Sequence, residues 1–341
     1  MVLPLSIPSP SDAWQVFNLG QWFRDIGWTS FGLNINLRAS TACIVIGLVL
    51  AIIVTSMRLT KRGAEPGVVV DVAIWAIPLG IIGGRIGHVA THPDFYFGAG
   101  RNPLTAFYVW EGGVSLFGVI LGGVIGVAIG CSLAGLRVTS VLDAAVPGLF
   151  LGIAGERLGD WFDRQYFGSP TSAPWGLQIP TKDADFPLGL PASTLFQPVF
   201  LYEILLCLVG IGVVLFVAKR FELQWGRVFA LALVWYGLGR SWFESLRIDP
   251  TLYFGGIRTN VWLAWIVAII GVVVFLAQKS RHTGQEPSVY RHGRGWSPPA
   301  AVDSDDTYPE VDESEEAVVI HTSPVRVKAT RSVTSGAGTK S

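Results

Sequence analysis

Long apolar runs constrain this chain more than any other feature. Seven recur, near 38–57, 68–90, 112–134, 138–158, 197–218, 226–246 and 259–278. A hydrocarbon core takes about 20 residues of helix to cross, so each run is long enough, or nearly so, to span a bilayer. The fourth is the least regular, because Asp143 and Pro147 interrupt it. Half of all residues are hydrophobic, only 15% are charged, and mean hydropathy is +0.48. An ordinary soluble domain does not have that composition. The expected fold is an all-α polytopic membrane protein with seven transmembrane helices.

Lys and Arg near the span ends set the orientation. Arg58, Lys61 and Arg62 follow span one, and Arg137 follows span three. Lys219, Arg220 and Arg227 follow span five, and Lys279 and Arg281 follow span seven. With seven spans all four clusters fall on one side, which is therefore cytoplasmic. The N-terminus is then outside and the C-terminus inside. Three regions result: an extracytoplasmic arm over 1–37, the seven-span unit over 38–280, and a tail over 281–341. Residues 11–28, which interleave aromatic and polar groups, are expected to form an interfacial helix. The tail is rich in Pro, Ser, Asp and Glu and is expected to be disordered. Residues 1–17 lack a basic n-region and a small-residue cleavage site, so no cleaved signal peptide is expected.

Several function classes drop out. Net charge is zero, which leaves no basic field for nucleic acid. Cys43, Cys131 and Cys207 lie inside apolar runs and read as small hydrophobes. No cluster has metal-ligand spacing, and no cofactor is implied. In span three Gly118, Gly122, Gly126 and Gly130 recur every fourth residue, a stripe for close helix packing.

Polar groups concentrate at the outer ends of the spans. Arg85 and His88 sit three apart at the end of span two, on one helix face. "VWEGGVSLFG" carries Glu111, Gly112 and Gly113 into span three. "GERLGDWFDRQYFG" places Glu156, Arg157, Asp160, Asp163 and Arg164 at the end of span four. Tyr202 and Glu203 lie just inside span five. Tyr236, Arg240, Glu244 and Arg247 form a single polar stripe at the end of span six. Arg24 and Arg101 read as interfacial anchors. The other arginines are costly to place at such depths, and the default reading of such residues is functional. Guanidinium groups bind phosphate in two-pronged fashion and stay charged, so these clusters point to an anionic lipid headgroup. That reasoning alone does not separate a lipid-modifying enzyme from a lipid transporter. No inverted halves are visible, and the charge lies at one side rather than at the midplane, both of which count against a transporter.

Taken together, "IPSP", "GGRIGHV", "VWEGGVS", "GERLGDWFDRQYFG", "PWGLQIP", "QPVFLYE" and "WYGLGRSWFESLR" resemble the prolipoprotein diacylglyceryl transferase family in order and spacing, over roughly residues 5–280. The resemblance implies a multi-pass enzyme of the bacterial cytoplasmic (inner) membrane. Such enzymes move the diacylglyceryl group of phosphatidylglycerol onto the lipobox cysteine of a prolipoprotein signal peptide. It implies that Arg157 and Arg240 grip the phosphate, with Tyr236, Glu244 and Arg247 close by. Tyr202, Glu203 and Gly168 match further motif positions, and Arg85, Gly112, Gly113 and Asp163 are assigned to substrate binding. Phe117 stands where many members carry a proposed histidine base, so His88 and the aspartates, Asp160 foremost, are the candidate bases. Asp160, Asp163 and Gln165 replace the Asn, Asn and Glu of the usual signature, and Glu156 replaces its first Gly. A divergent relative that binds lipid or precursor without fast transfer is the alternative.

Overall fold

The computed structural model describes residues 6–27, 36–98, 100–109, 112–183 and 185–297. Each apolar run forms a helix: α2 (Ala39–Thr60), α3 (Val68–Thr91), α5 (Leu116–Leu133), α6 (Val138–Asp163), α7 (Val199–Arg220), α8 (Arg227–Leu246) and α9 (Thr259–Arg281). Short helices α1 (Leu19–Asp25) and α4 (Asp94–Phe97) lie in the connections. Six of the long helices are apolar enough, by length and composition, to cross a membrane. The other, α8, matches them in length but carries Arg227, Arg240 and Glu244. Helix α6 runs unbroken through Asp143 and Pro147. Pro147 removes one backbone donor, a loss that packed helices tolerate when neighbours surround them.

Small residues decide which helices pair. A Cβ at Gly118 or Gly122 would run into the Gly83 or Leu79 carbonyl oxygen, and one at Gly126 would lie 2.5 Å from the Trp75 oxygen. The glycine stripe of α5 therefore presses its backbone onto α3. Helix α2 meets α6 the same way: a Cβ on Gly155 would lie 2.9 Å from the Cys43 oxygen, and one on Gly148 2.6 Å from the Ala51 oxygen. Helices α8 and α9 pack together, and α7 packs between α6 and α8. Val146, Phe150, Cys207, Val214, Val228 and Ala232 form the core where α6, α7 and α8 meet.

Above one end of the bundle, residues 164–198 form a small head. Strands β3 (Pro170–Thr171), β5 (Leu195–Phe196) and β4 (Leu177–Gln178) pair antiparallel in that order. Phe167, Leu177, Ile179, Phe196 and Phe200 bury beneath them. The N-terminal arm docks here. Ile7 bridges to Leu177, Trp161 Nε1 donates to the Pro8 oxygen at 3.2 Å, and buried Arg164 donates to the Pro10 oxygen. Arg164 also pairs with Asp183 at 2.9 Å and Asp12 at 2.8 Å.

Two expectations are corrected. Residues 11–28 do not form one interfacial helix. Among the described residues the segment holds a 3₁₀ turn (Asp12–Trp14), strand β1 (Val16–Asn18) and the seven-residue α1. Strand β1 pairs with β2 (Asn36–Arg38), a partner beyond any local periodicity. Trp14, Trp22 and Ile26 remain exposed, as an interfacial segment requires. The second correction concerns the start of the tail, which is tied down at Val289 and Tyr290 rather than free. Val289 and Tyr290 are buried, Arg137 N donates to the Val289 oxygen, and the Tyr290 hydroxyl accepts from Glu65 N at 2.9 Å. The rest of the expected tail, 298–341, lies outside the described residues.

Candidate functional site

At the head end of the bundle α6, α7 and α8 converge on a buried network of arginines and carboxylates. Arg157 stands six residues before the end of α6, Glu203 in the second turn of α7, and Arg240 six residues before the end of α8. Apolar faces bring these helices together, so each polar group that falls on the facing side has to be paired. Glu203 is fully buried and lies between two guanidiniums: its Oε1 accepts from Arg240 Nη1, and its Oε2 lies 3.4 Å from Arg157 Nε. Arg157 also contacts Asp160 at 2.5 Å and Glu156 at 2.6 Å. Arg240 reaches Glu244, one turn further along its own helix, at 2.8 Å.

Glu244 extends the network outward. It is fully buried and receives Arg247, Arg258 and Asn260 at 3.4, 3.2 and 2.9 Å. Asp249 closes the far side, 2.7 Å from Arg247 and 3.1 Å from Arg258. Strands β6 (Tyr253–Phe254) and β7 (Ile257–Arg258) form the hairpin that turns the chain back and delivers Arg258 to Glu244. Tyr166 covers Arg247, whose guanidinium lies 4.2 Å from the ring centre. Burial, and after it the Asp160 carboxylate, push the Tyr166 phenol above its usual range. Gly168 ties this rim down. Its N–H donates to the Gln197 oxygen, it bridges to Arg247, and a Cβ there would sit 2.8 Å from Gln197 Cβ.

The expected residues divide between two places. Arg157, Asp160, Glu203, Arg240, Glu244 and Arg247 join in the network, with Tyr236 one turn below Arg240 on α8. Tyr202 points aside and accepts a hydrogen bond from Trp175 Nε1 at 3.0 Å. Asp163 is not among the ion partners of Arg157, which are Glu156, Asp160 and Glu203. Arg85, His88, Gly112 and Gly113 gather instead around a separate cavity of about 430 Å³. There Arg85 is spent on backbone, donating to the oxygens of Ala106, Thr105, Gly112 and Gly113. His88 stacks on His92 with ring centres 4.6 Å apart. Gly113 has φ +76°, and a Cβ on it would come 2.6 Å from the His88 ring. Glu111 lies outside the described residues. Sequence reasoning missed Asp249 and Asn260, and had Arg258 only as one of the arginines at the outer span ends; the local signal was a charged pair flanking a short turn before the last span.

Such a site can hold an anion against several guanidiniums in a place shielded from water. It also offers carboxylates to accept a proton next to that anion. Comparison with known proteins places the chain among relatives. The family model described as prolipoprotein diacylglyceryl transferase matches residues 29–277. A phosphatidylglycerol–prolipoprotein diacylglyceryl transferase of Leifsonia xyli subsp. xyli is 46% identical, over 93% of this chain and 95% of its own length. A second, from Streptomyces coelicolor, is 40% identical over 76% of this chain and 82% of its own. A third, from Paenarthrobacter aurescens, is 39% identical over 72% and 80%.

Proposed function

The chain belongs to the prolipoprotein diacylglyceryl transferase family, and from that membership we propose that it transfers the diacylglyceryl group of phosphatidylglycerol to the lipobox cysteine of prolipoproteins. The observation that carries the assignment of the site is the shared carboxylate Glu203, which draws Arg157 and Arg240 to one point. In this reading the two guanidiniums bind the lipid phosphate and stabilise the charge it gains on leaving. The cysteine thiol attacks the glyceryl carbon, a C–S bond forms as the C–O bond to phosphate breaks, and glycerol phosphate departs. The thiol must lose its proton to attack. Asp160, in contact with Arg157, is the acceptor we assign. His88 is assigned with Arg85, Gly112 and Gly113 to substrate binding, because its described contacts lie in the second cavity.

Tyr236, Glu244 and Arg247 frame the phosphate site and Gly168 holds its rim, with Tyr202 and Asp163 assigned to substrate binding outside the ion network. We also assign seven spans, with α8 as the sixth, the N-terminus outside and the C-terminus in the cytoplasm. The lysine and arginine distribution supports that arrangement, and with it we assign the chain to the bacterial inner membrane. The three regions are then an outer arm to 37, the catalytic bundle, and a C-terminal tail whose first part, to 297, is tied to the bundle.

The test is complementation. The chain is expressed in cells depleted of their own transferase, and the mass of a lipoprotein precursor is measured. Gain of one diacylglyceryl group is expected, and both Arg157→Ala and Arg240→Ala should abolish it. No gain despite good membrane expression refutes the transferase reading and leaves a lipid-binding relative. Full activity in either variant refutes the phosphate assignment.

A further inference from the structure

Fourteen residues below Arg157, at the other end of α6, a second carboxylate is buried that the chemistry does not use. Asp143 has no exposed surface. Its Oδ2 accepts from Gly226 N at 2.8 Å and its Oδ1 from Phe229 N at 2.9 Å. Gly226 is the N-cap of α8, has φ +81°, and lacks any side chain that could cap the helix itself. The first N–H groups of a helix have no partner within it and carry the positive end of its dipole. Asp143 therefore caps α8 from a different helix.

The spacing gives this cap a further consequence. Asp143 precedes Arg157 by 14 residues on α6, and Gly226 precedes Arg240 by 14 residues on α8. Both helices run from the cap toward the site, and 14 residues of helix rise about 21 Å. Equal rises from one shared anchor bring the two arginines to the same depth. Between anchor and site, Val146 and Phe150 of α6 pack with Val228 and Ala232 of α8 and fix the sideways distance. Apolar packing of this kind resists separation but lets a helix slide along its axis more easily than hydrogen bonds do.

We propose that Asp143 is a positioning residue that sets the axial register of α8 against α6, so that Arg157 and Arg240 both reach Glu203 and the substrate phosphate. A misplacement of about 1 Å can cost on the order of 100-fold in rate. Asp143→Asn leaves one acceptor oxygen and turns an N–H donor toward a second N–H, so one of the two anchoring bonds is lost.

The test uses the full chain in phosphatidylglycerol-containing nanodiscs, with spin labels on Leu158→Cys and Leu238→Cys. These positions are 39% and 57% exposed, while the native cysteines are buried. Asp143→Asn in this background is expected to shift the label-to-label distance by about 1–2 Å, or broaden it, and to lower kcat/KM at least about 10-fold, as register loss of that size predicts. Should that variant fail to accumulate, Asp143→Ser keeps a single short acceptor and is read in the same way. Unchanged kcat/KM overturns the proposal, and so does a loss of activity with an unchanged distance, which marks a role other than register. The proposal rests on the transferase reading only for turnover. Absence of transfer by the unmodified chain refutes that reading, and the distance still decides this one.

Discussion

Glu203→Gln tests the centre of the site most directly. The carboxylate is fully buried and serves two guanidiniums at once. At separations near 4 Å and an effective dielectric near 20, each attraction is worth about 4 kcal/mol. The gross loss is offset in part, because the buried carboxylate no longer has to be stripped of water. Each arginine also keeps another partner: Glu156 and Asp160 for Arg157, and Glu244 for Arg240. Removing one member of a buried pair costs about 3–5 kcal/mol, and the remaining carboxylates place this case near 3. At about 2 °C per kcal/mol for a chain of this size, the melting midpoint should fall by about 6 °C. A thiol-reactive dye can follow it, since Cys43, Cys131 and Cys207 are all buried and become reactive only on unfolding. The variant also gains one net positive charge in the network. Phosphatidylglycerol should therefore protect it more than it protects the parent, while a zwitterionic lipid should not. A midpoint within about 1 °C of the parent, or equal protection by both lipids, refutes the view that Glu203 is the shared counter-ion of a phosphate site.

Other consequences can be checked by routine assays. Gly122→Ala drives a methyl group into the Leu79 carbonyl and should cost about 1–3 kcal/mol as α3 and α5 part, whereas Gly123→Ala, with nothing within 4 Å, should be nearly silent in the same melt. Glu156→Gln frees one guanidinium edge of Arg157 and should lower KM for phosphatidylglycerol several-fold with kcat little changed, as steady-state kinetics in mixed micelles would show. Hydrogen bonds from Lys182 and then Arg164 hold the Asp12 carboxyl below its usual range. A lowered value means the contact stabilises the fold above the unfolded value near 3.9 and is lost as pH falls through the folded one. Proteolysis of the N-terminal arm should thus be flat from pH 7 to about 5 and rise only below about 4, and Asp12→Asn should raise it at neutral pH.

The parts that could be read from sequence are those set by the local chain. A run of apolar residues must be helical in a bilayer whatever it packs against, so all seven runs became helices within a few residues of their expected ends. The glycine stripe was readable for the same reason, since a period of four makes a face on any helix. What failed depended on distant partners. Residues 11–28 alternate in a way that suits a helix, but Val16–Asn18 found a strand at 36–38 to pair with. The segment around Val289 and Tyr290 looks polar, but it binds turns that lie more than 150 residues earlier, at Arg137 and Glu65. Arg258 stood out only as one more arginine at the outer end of a span, and the β6–β7 hairpin is what brings it to complete the shell around Glu244.

The charge balance of the network constrains how the reaction must run. Arg157, Arg240, Arg247 and Arg258 face Glu156, Asp160, Glu203, Glu244 and Asp249. Four guanidiniums against five carboxylates leave the site one charge negative before an anionic lipid arrives. The phosphodiester adds another, so binding requires a carboxylate to withdraw or to take a proton. Glu203 and Glu244 are fully buried and shared between arginines, whereas Glu156 has a side chain 41% exposed and, among the described residues, pairs with Arg157 alone. If the proposed phosphate site holds, Glu156 is the group to be displaced as phosphate enters. Asp160 remains, 12% exposed and against Arg157. With Asp160 as the proposed acceptor of the thiol proton, one negative charge disappears from the wall as the departing phosphate changes from diester to monoester and gains one. The total charge the site must hold is then the same before and after the step.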